Sequence, residues 1–370
     1  MQKNSRSISI DLLRIISMIM VVSLHSMNHG GLIEKSLIPG TPNYFLCNIL
    51  YALCHVAVNC FVMITGYFQC TSTFKLKKLI GVWGSAVFYS GVMYLILCAA
   101  SLASFSVTGF IKQLMVLTLD QYWFITAYLF LYMVSPFLNC AIRAMNRKLH
   151  LMCCCTLLFL FSFLHNLIYI SDFGDVAGGY SFLWFCILYM TAAYFRLYVP
   201  DTVKIQKFML PLYFLFSMCI CGERFVAYYI TPYLFGGVRL TSLFYSYNSV
   251  MCVAATLCLF QFFRGLSLSS PAVHKTVSLF APLTVAVYLI HDNNGIRMIL
   301  WELLKPSAYF DRPWLVLYLL LCIVSIFILC CLIEWIRQKI TKFTGISARI
   351  ASVCDRIQMQ CSQFFDRITE

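Results

Sequence analysis

Between residues 8 and 336 the chain is a succession of apolar runs, most of them as long as a bilayer is thick, joined by short polar connectors. A helix needs about 20 mostly apolar residues to cross a hydrocarbon core, and in lipid only helices and closed barrels satisfy their own backbone polar groups. Runs of this length are helical, so the sequence predicts an all-α, polytopic membrane protein with about ten transmembrane helices. The expected spans are approximately 8–27, 45–67, 79–103, 122–142, 149–170, 180–198, 205–221, 242–263, 277–303 and 314–336. The seventh is short and contains Pro211. The connectors leave no room for a separate globular domain, so residues 1–336 are expected to form one membrane domain.

Charge then sets the expected orientation. Only 11% of the chain is charged, against about 25% in an ordinary soluble domain. The net charge of +13 suggests nucleic acid at first sight, but basic loops are retained in the cytoplasm, and this explains the excess better. With the N-terminus inside, 19 of the 27 Lys and Arg fall in cytoplasmic segments, 7 in external ones, and Arg14 within the first span. Both termini are therefore expected in the cytoplasm, with no nucleic-acid partner. Most of the 19 cysteines lie inside apolar runs, where cysteine is a small packing residue, so no disulfide framework and no metal is expected. The cluster Cys153, Cys154 and Cys155 is a weak palmitoylation candidate. A cleavable signal peptide is not expected, because the first apolar run is long and no small-residue cleavage site follows it.

Three ionisable side chains interrupt the first span: Asp11, Arg14 and His25. Such groups at membrane depth mark polar cavities or pathways. Eleven residues separate Arg14 from His25, which at 3.6 residues per turn returns to nearly the same face, about 16 Å along the axis. Asp11 lies a turn below Arg14, and His29 a turn above His25. The bland alternative for a lone transmembrane histidine is a hydrogen-bonded packing residue, and the arginine on the same stripe argues against it.

Three further places carry chemistry. Lys75, Lys77 and Lys78 precede the third span, where positive-inside topology explains them and a phosphate site at a helix N-terminus is the functional alternative. In the second span His55 and Asn59 are one turn apart, with His55 expected at the height of His25, while Thr65 and Gly66 fit a close helix crossing. Trp123 and Tyr122 open the fourth span and fit an interfacial aromatic belt; Tyr128 follows on that span. Tyr288, His291, Asp292, Asn293, Asn294 and Arg297 crowd the ninth, where so many polar groups need water or one another and fit the mouth of a cavity. Of these, His55, Asn59, Trp123, Tyr128, Tyr288 and His291 are the candidate substrate-pocket residues.

Taken in order, these residues resemble the integral membrane acyltransferase 3 family, whose members O-acetylate bacterial surface polysaccharides and related acceptors. The opening span Ile10-Asp11-Leu12-Leu13-Arg14, followed by His25, is similar to that family's I-D-L-L-R and Arg-x10-His. Phe61-Val62-Met63-Ile64-Thr65-Gly66 resembles F-F-x-x-S-G, with Thr65 where serine is usual. Basic residues precede the third span, Trp123-Phe124 and Pro136 match the fourth, and Tyr288-Leu289-Ile290-His291 resembles the late Y-L-x-H. Lysines stand where arginines are common before the third span, and lysine lacks the bidentate fork for phosphate. No hydrolase-like domain of the kind some members carry follows the tenth span.

The resemblance implies an O-acyltransferase using acetyl-CoA, with membrane lipid and a glycan or lipid-linked glycan as partners, and it leaves room for a homo-oligomer. A pantetheine arm is on the order of the 16 Å spacing from Arg14 to His25. The expected roles follow. Lys75, Lys77 and Lys78 hold the donor phosphates, Arg14 contacts the arm or a phosphate, and His25 is general base on an acceptor hydroxyl or a covalent acyl carrier. Asp11 orients Arg14 or simply anchors the helix. The rival from another class is a transporter or flippase of lipid-linked sugars, which often shows paired repeats or broken helices, neither of which is clear in the sequence.

Beyond the last span, residues 337–370 form a tail with apolar positions at Phe343, Ile346, Ile350, Val353, Ile357, Phe364 and Ile368. Spacings of three, four and seven predict an amphipathic helix on the cytoplasmic leaflet, with a short coiled coil as the alternative.

Overall fold

The computed structural model describes residues 7–36, 41–164, 177–200, 206–234 and 245–369. Among the described residues every regular element is helical, with no strand. The helices are α1 (Ile8–Asn28), α2 (Pro42–Cys54), α3 (Ala57–Gln69), α4 (Leu76–Ala99), α5 (Val107–Leu114), α6 (Trp123–Ala144), α7 (Arg147–Leu158), α8 (Phe182–Tyr198) and α9 (Gln206–Leu234). They continue as α10 (Val250–Gly265), α11 (Pro271–Phe280), α12 (Thr284–His291), α13 (Asn294–Leu304), α14 (Leu315–Phe343) and α15 (Ile346–Thr369).

Among the described residues, eight segments are long and apolar enough to cross a membrane: α1, α2 with α3, α4, α6, Arg147–Leu164, Gln206–Val226, α11 with α12, and α14. Apolar α8 and α10, of 17 and 16 residues, are shorter and lie at the sixth and eighth expected spans. Eight segments, not ten, therefore meet that length. The seventh span is longer than the sequence suggested. Glu223 and Arg224 argue for an end near residue 221, yet α9 runs through both to Leu234. Arg224 is buried because it donates to Asn48 Oδ1 at 2.7 Å and lies 4.9 Å over the Tyr245 ring.

The first helix is central. α1 packs against α2, α3, α10, α11, α12 and α14. It joins two apolar cores, with Ile10 and Leu13 in one and Met18, Val22 and Leu24 in the other. An arginine or histidine on such a helix faces protein on most sides, which is where ionisable groups at membrane depth are tolerated.

Two spans are broken, which the apolar pattern did not reveal. The second breaks at His55 and Val56, between α2 and α3. The ninth breaks after His291, where the Asn293 side chain caps α13 by accepting from the Gly295 and Ile296 N–H groups at 3.2 and 3.4 Å. Tyr122 holds this break in place: its hydroxyl donates to the Leu289 carbonyl at 3.0 Å and accepts from Asn293 Nδ2 at 2.8 Å.

Two local devices keep one span continuous and two helices close. Pro136 deprives the Tyr132 carbonyl of its helical donor, and the Ser135 hydroxyl donates to that carbonyl at 2.8 Å instead. Gly66 lets α3 lie against α8, since a Cβ there would sit 2.7 Å from the Tyr189 carbonyl oxygen. The close-crossing explanation of Thr65-Gly66 therefore holds for Gly66.

The tail is helical as well. Gly345, whose φ of +70° suits glycine, makes the turn after α14, and α15 turns back onto the start of α4. Gln358 accepts from the Leu76 N–H at 2.9 Å and donates to the Phe74 carbonyl at 3.1 Å. Ile346, Ile350, Val353 and Ile357 remain exposed on its apolar stripe.

Candidate active site

Helical periodicity puts Arg14 and His25 on one side of α1, and each residue there lines a separate cavity. The first cavity, of about 310 Å³, is lined by Arg14, Thr65, Lys78, Tyr128 and Thr284 among apolar neighbours. The second, of about 260 Å³, is lined by His25, His29, Trp123, Tyr180, Tyr247, Asp292 and Arg297. Met18, Phe61, Phe124 and Tyr288 line both, so the two cavities meet end to end across an apolar wall.

At the Arg14 end, the Arg14 guanidinium bonds the buried carboxylate of Asp11 one turn earlier. Lys78 reaches Gln69 Oε1 at 3.4 Å and lies 5.1 Å from the centre of the Tyr132 ring. The three lysines do not act as one group. Lys78 lines the Arg14 cavity, whereas Lys75 and Lys77 line a cleft with Asp355, Gln358 and Met359 of α15. Lys77 pairs there with Asp355 at 3.3 Å.

At the other end, the chain break after α12 delivers a cluster of polar groups to His25. His25 Nδ1 lies 2.9 Å from His291 Nε2 and 3.5 Å from Asp292 Oδ1. Asp292 also faces His29 Nε2 at 3.7 Å and Arg297 at 3.3 Å. His291 is 1% exposed, and its Nδ1 is 2.5 Å from the Val287 carbonyl. The ligand atoms of His25, His29 and Asp292 lie within 4.8 Å of one another, as a metal group would require. A cation there would share the Asp292 carboxylate with the Arg297 guanidinium.

The sequence-expected pocket residues divide in the structure. Trp123 and Tyr288 line the His25 cavity, Tyr128 and Tyr288 line the Arg14 cavity, and His291 stands directly behind His25. His55 and Asn59 are elsewhere. His55 is buried among Tyr51, Tyr245 and Tyr247, stacked on Tyr247 with ring centres 4.9 Å apart, behind a residue that lines the His25 cavity. Asn59 fastens three helices by donating to the Tyr247 carbonyl at 2.7 Å and Thr256 at 3.4 Å and accepting from Trp184 Nε1 at 3.1 Å. The histidine that shares a level with His25 is His291.

Met18, Tyr180 and Tyr247 escaped the sequence argument, and Phe61 and Phe124 entered it through the family resemblance but not as cavity walls. They are ordinary apolar or aromatic residues within or beside spans, and no spacing distinguishes a cavity wall from a core. Asp292 and Arg297 were visible as an excess of polar groups, but Asp292 was not visible as a partner of His25, 267 positions away.

A family model described as an acyltransferase domain, that of acyltransferase 3, matches residues 7–335. No curated protein and no solved structure matches the chain.

Proposed function

The chain belongs to the acyltransferase 3 family, and we propose that it moves an acetyl group from cytoplasmic acetyl-CoA to a hydroxyl of a cell-surface glycan or its lipid-linked precursor. The observation that carries this reading is the pair of cavities along α1, one with Arg14 and Lys78, the other with His25, divided by a wall they share. The cationic end suits a phosphate-bearing donor, with Lys75 and Lys77 at the neighbouring cleft. The thioester arm would follow the face of α1 and bring its carbonyl to the shared wall. His25 takes the proton of the acceptor hydroxyl as the oxygen bonds to the acyl carbon, and gives it back to the departing thiolate as the carbon–sulfur bond breaks. An acyl group carried on His25 itself is the alternative order of steps, distinguishable by trapping labelled protein after donor alone is added. Excess Lys and Arg in the loops on the donor side supports placing that side in the cytoplasm.

The deciding experiment uses purified protein in liposomes with acetyl-CoA and a lipid-linked glycan. Acetyl-CoA is consumed and base-labile acetate appears on the acceptor, whereas His25→Ala accumulates normally and loses at least 10²-fold in rate. Glycan translocation without consumption of acetyl-CoA would replace this reading with the flippase. Full activity in His25→Ala would remove His25 from the chemistry.

A further inference from the structure

We propose that His291 is a positioning residue that sets the tautomer of His25, so that Nε2 of His25 is the nitrogen that takes the acceptor's proton. The proposal rests on acyl transfer at His25, as above, but its core is hydrogen-bond bookkeeping that stands apart from any substrate.

A carbonyl oxygen can only accept, so the contact between His291 Nδ1 and the Val287 carbonyl at 2.5 Å requires the hydrogen on Nδ1. In a neutral ring the other nitrogen, Nε2, is then an acceptor. His25 Nδ1 lies 2.9 Å from it and must be the donor. The lone pair of His25 is thereby left on Nε2, and His25 lines the cavity assigned to the acceptor. The direction of the whole chain follows from one backbone carbonyl of α12, a group that cannot change its protonation.

Asp292 completes the arrangement. Its Oδ1 lies 3.5 Å from His25 Nδ1, so the imidazolium formed by proton uptake at Nε2 faces a carboxylate already held by Arg297 at 3.3 Å. His29, the remaining titratable group on that carboxylate, approaches it at 3.7 Å. Asp292 and His291 are adjacent, so the break that ends α12 supplies both the tautomer-setting nitrogen and the counter-charge. Burial sharpens the effect: both groups are at most 5% exposed, and a hydrogen bond in such surroundings is stronger than in water. In an enzyme where a carboxylate sets the tautomer of a catalytic histidine, its loss costs about 10⁴-fold in kcat with geometry intact.

Two measurements test this. The first is nitrogen-15 NMR of histidine-labelled full-length protein in nanodiscs, with the His25 signals identified by their loss in His25→Gln. The proposal expects His25 to carry its hydrogen on Nδ1, and His291→Leu to convert it to a mixture. A wild-type His25 protonated on Nε2 overturns the proposal, whatever the protein's activity. The second is kinetic. His291→Leu should lower kcat about 10²- to 10⁴-fold with the donor and acceptor KM values unchanged. His291→Gln, whose amide oxygen can still accept from His25, should recover at least a tenth of the lost rate. Equal losses in Leu and Gln, or a change confined to KM, would make His291 a packing or substrate residue. If wild-type protein transfers no acyl group, acyl transfer fails as the function while the NMR result still decides the tautomer.

Discussion

Arg14 and Lys78 stand in one cavity, and their surroundings separate them from the other cations of that end. Lys77 is exposed and already paired with Asp355, and an exposed ion pair of this kind contributes little. Lys78 is also exposed, but it lines the cavity of Arg14, where a hydrogen bond to a phosphate would contribute about 1.5–3 kcal/mol. Lys78→Ala should therefore raise the KM for acetyl-CoA roughly 10- to 100-fold, and Lys77→Ala by less than threefold, in initial-rate measurements on liposomes. Equal effects would mean that the turn binds the donor as one patch. Much of this residue-level chemistry was legible because one unbroken helix carries Arg14 and His25, and helical period alone then fixes their face and separation. His55 lies at the break of its own span, where the helical period does not continue, and it stacks on Tyr247 instead of lining the His25 cavity. The contact of His25 with His291 was not legible, because it depends on how α1 and α12 pack.

At the level of elements, a single residue decides how closely α3 and α8 approach. Gly66→Val would drive side-chain atoms into the Tyr189 backbone, and overpacking of this kind costs about 1–3 kcal/mol. A lower midpoint in a thermal-unfolding assay of detergent-purified protein checks this; an unchanged midpoint would show that the helices can separate freely. The tail makes a parallel case. Its amphipathic pattern was plain in the sequence, but its docking was not, because Gln358 is one polar residue on a polar face. The two backbone hydrogen bonds of Gln358 are worth about 1 kcal/mol each. Gln358→Ala should therefore increase the undocked fraction of α15 on the order of tenfold, read as faster trypsin cleavage at Arg349 and Arg356. The exposed stripe of Ile346, Ile350, Val353 and Ile357 suits a helix resting on a lipid surface, and added anionic vesicles should slow the same cleavage.

On the scale of the whole molecule, the described helices around α1 line two cavities that share a wall. Apolar periodicity revealed the helices and most of their ends, because burial in lipid leaves a long unbroken signal. It said nothing of chamber shape, which depends on side chains such as Met18 and Phe61 that any membrane core contains. Filling the shared wall should separate donor binding from transfer. Met18→Trp is expected to leave the KM for acetyl-CoA within about threefold and to lower kcat by more than tenfold, because the arm enters but cannot bring its carbonyl to His25. A proportional rise in KM would place the block at the entrance instead.

That same wall also has a bioenergetic consequence. A protein wet from both sides at Arg14 and His25 would offer protons a stepping-stone route down the membrane potential, and each charge moved releases about 2.3 kcal/mol per 100 mV. Met18, Phe61, Phe124 and the ring of Tyr288 put a largely apolar plug between the two polar ends, with the Tyr288 hydroxyl as its polar group. An uncharged acyl group can slide past such a plug, while a hydrated ion must shed its water to enter. A Met18→Gly variant in sealed liposomes carrying a proton gradient should discharge that gradient faster than wild-type protein, making the enzyme a slow uncoupler even with no acyl donor present.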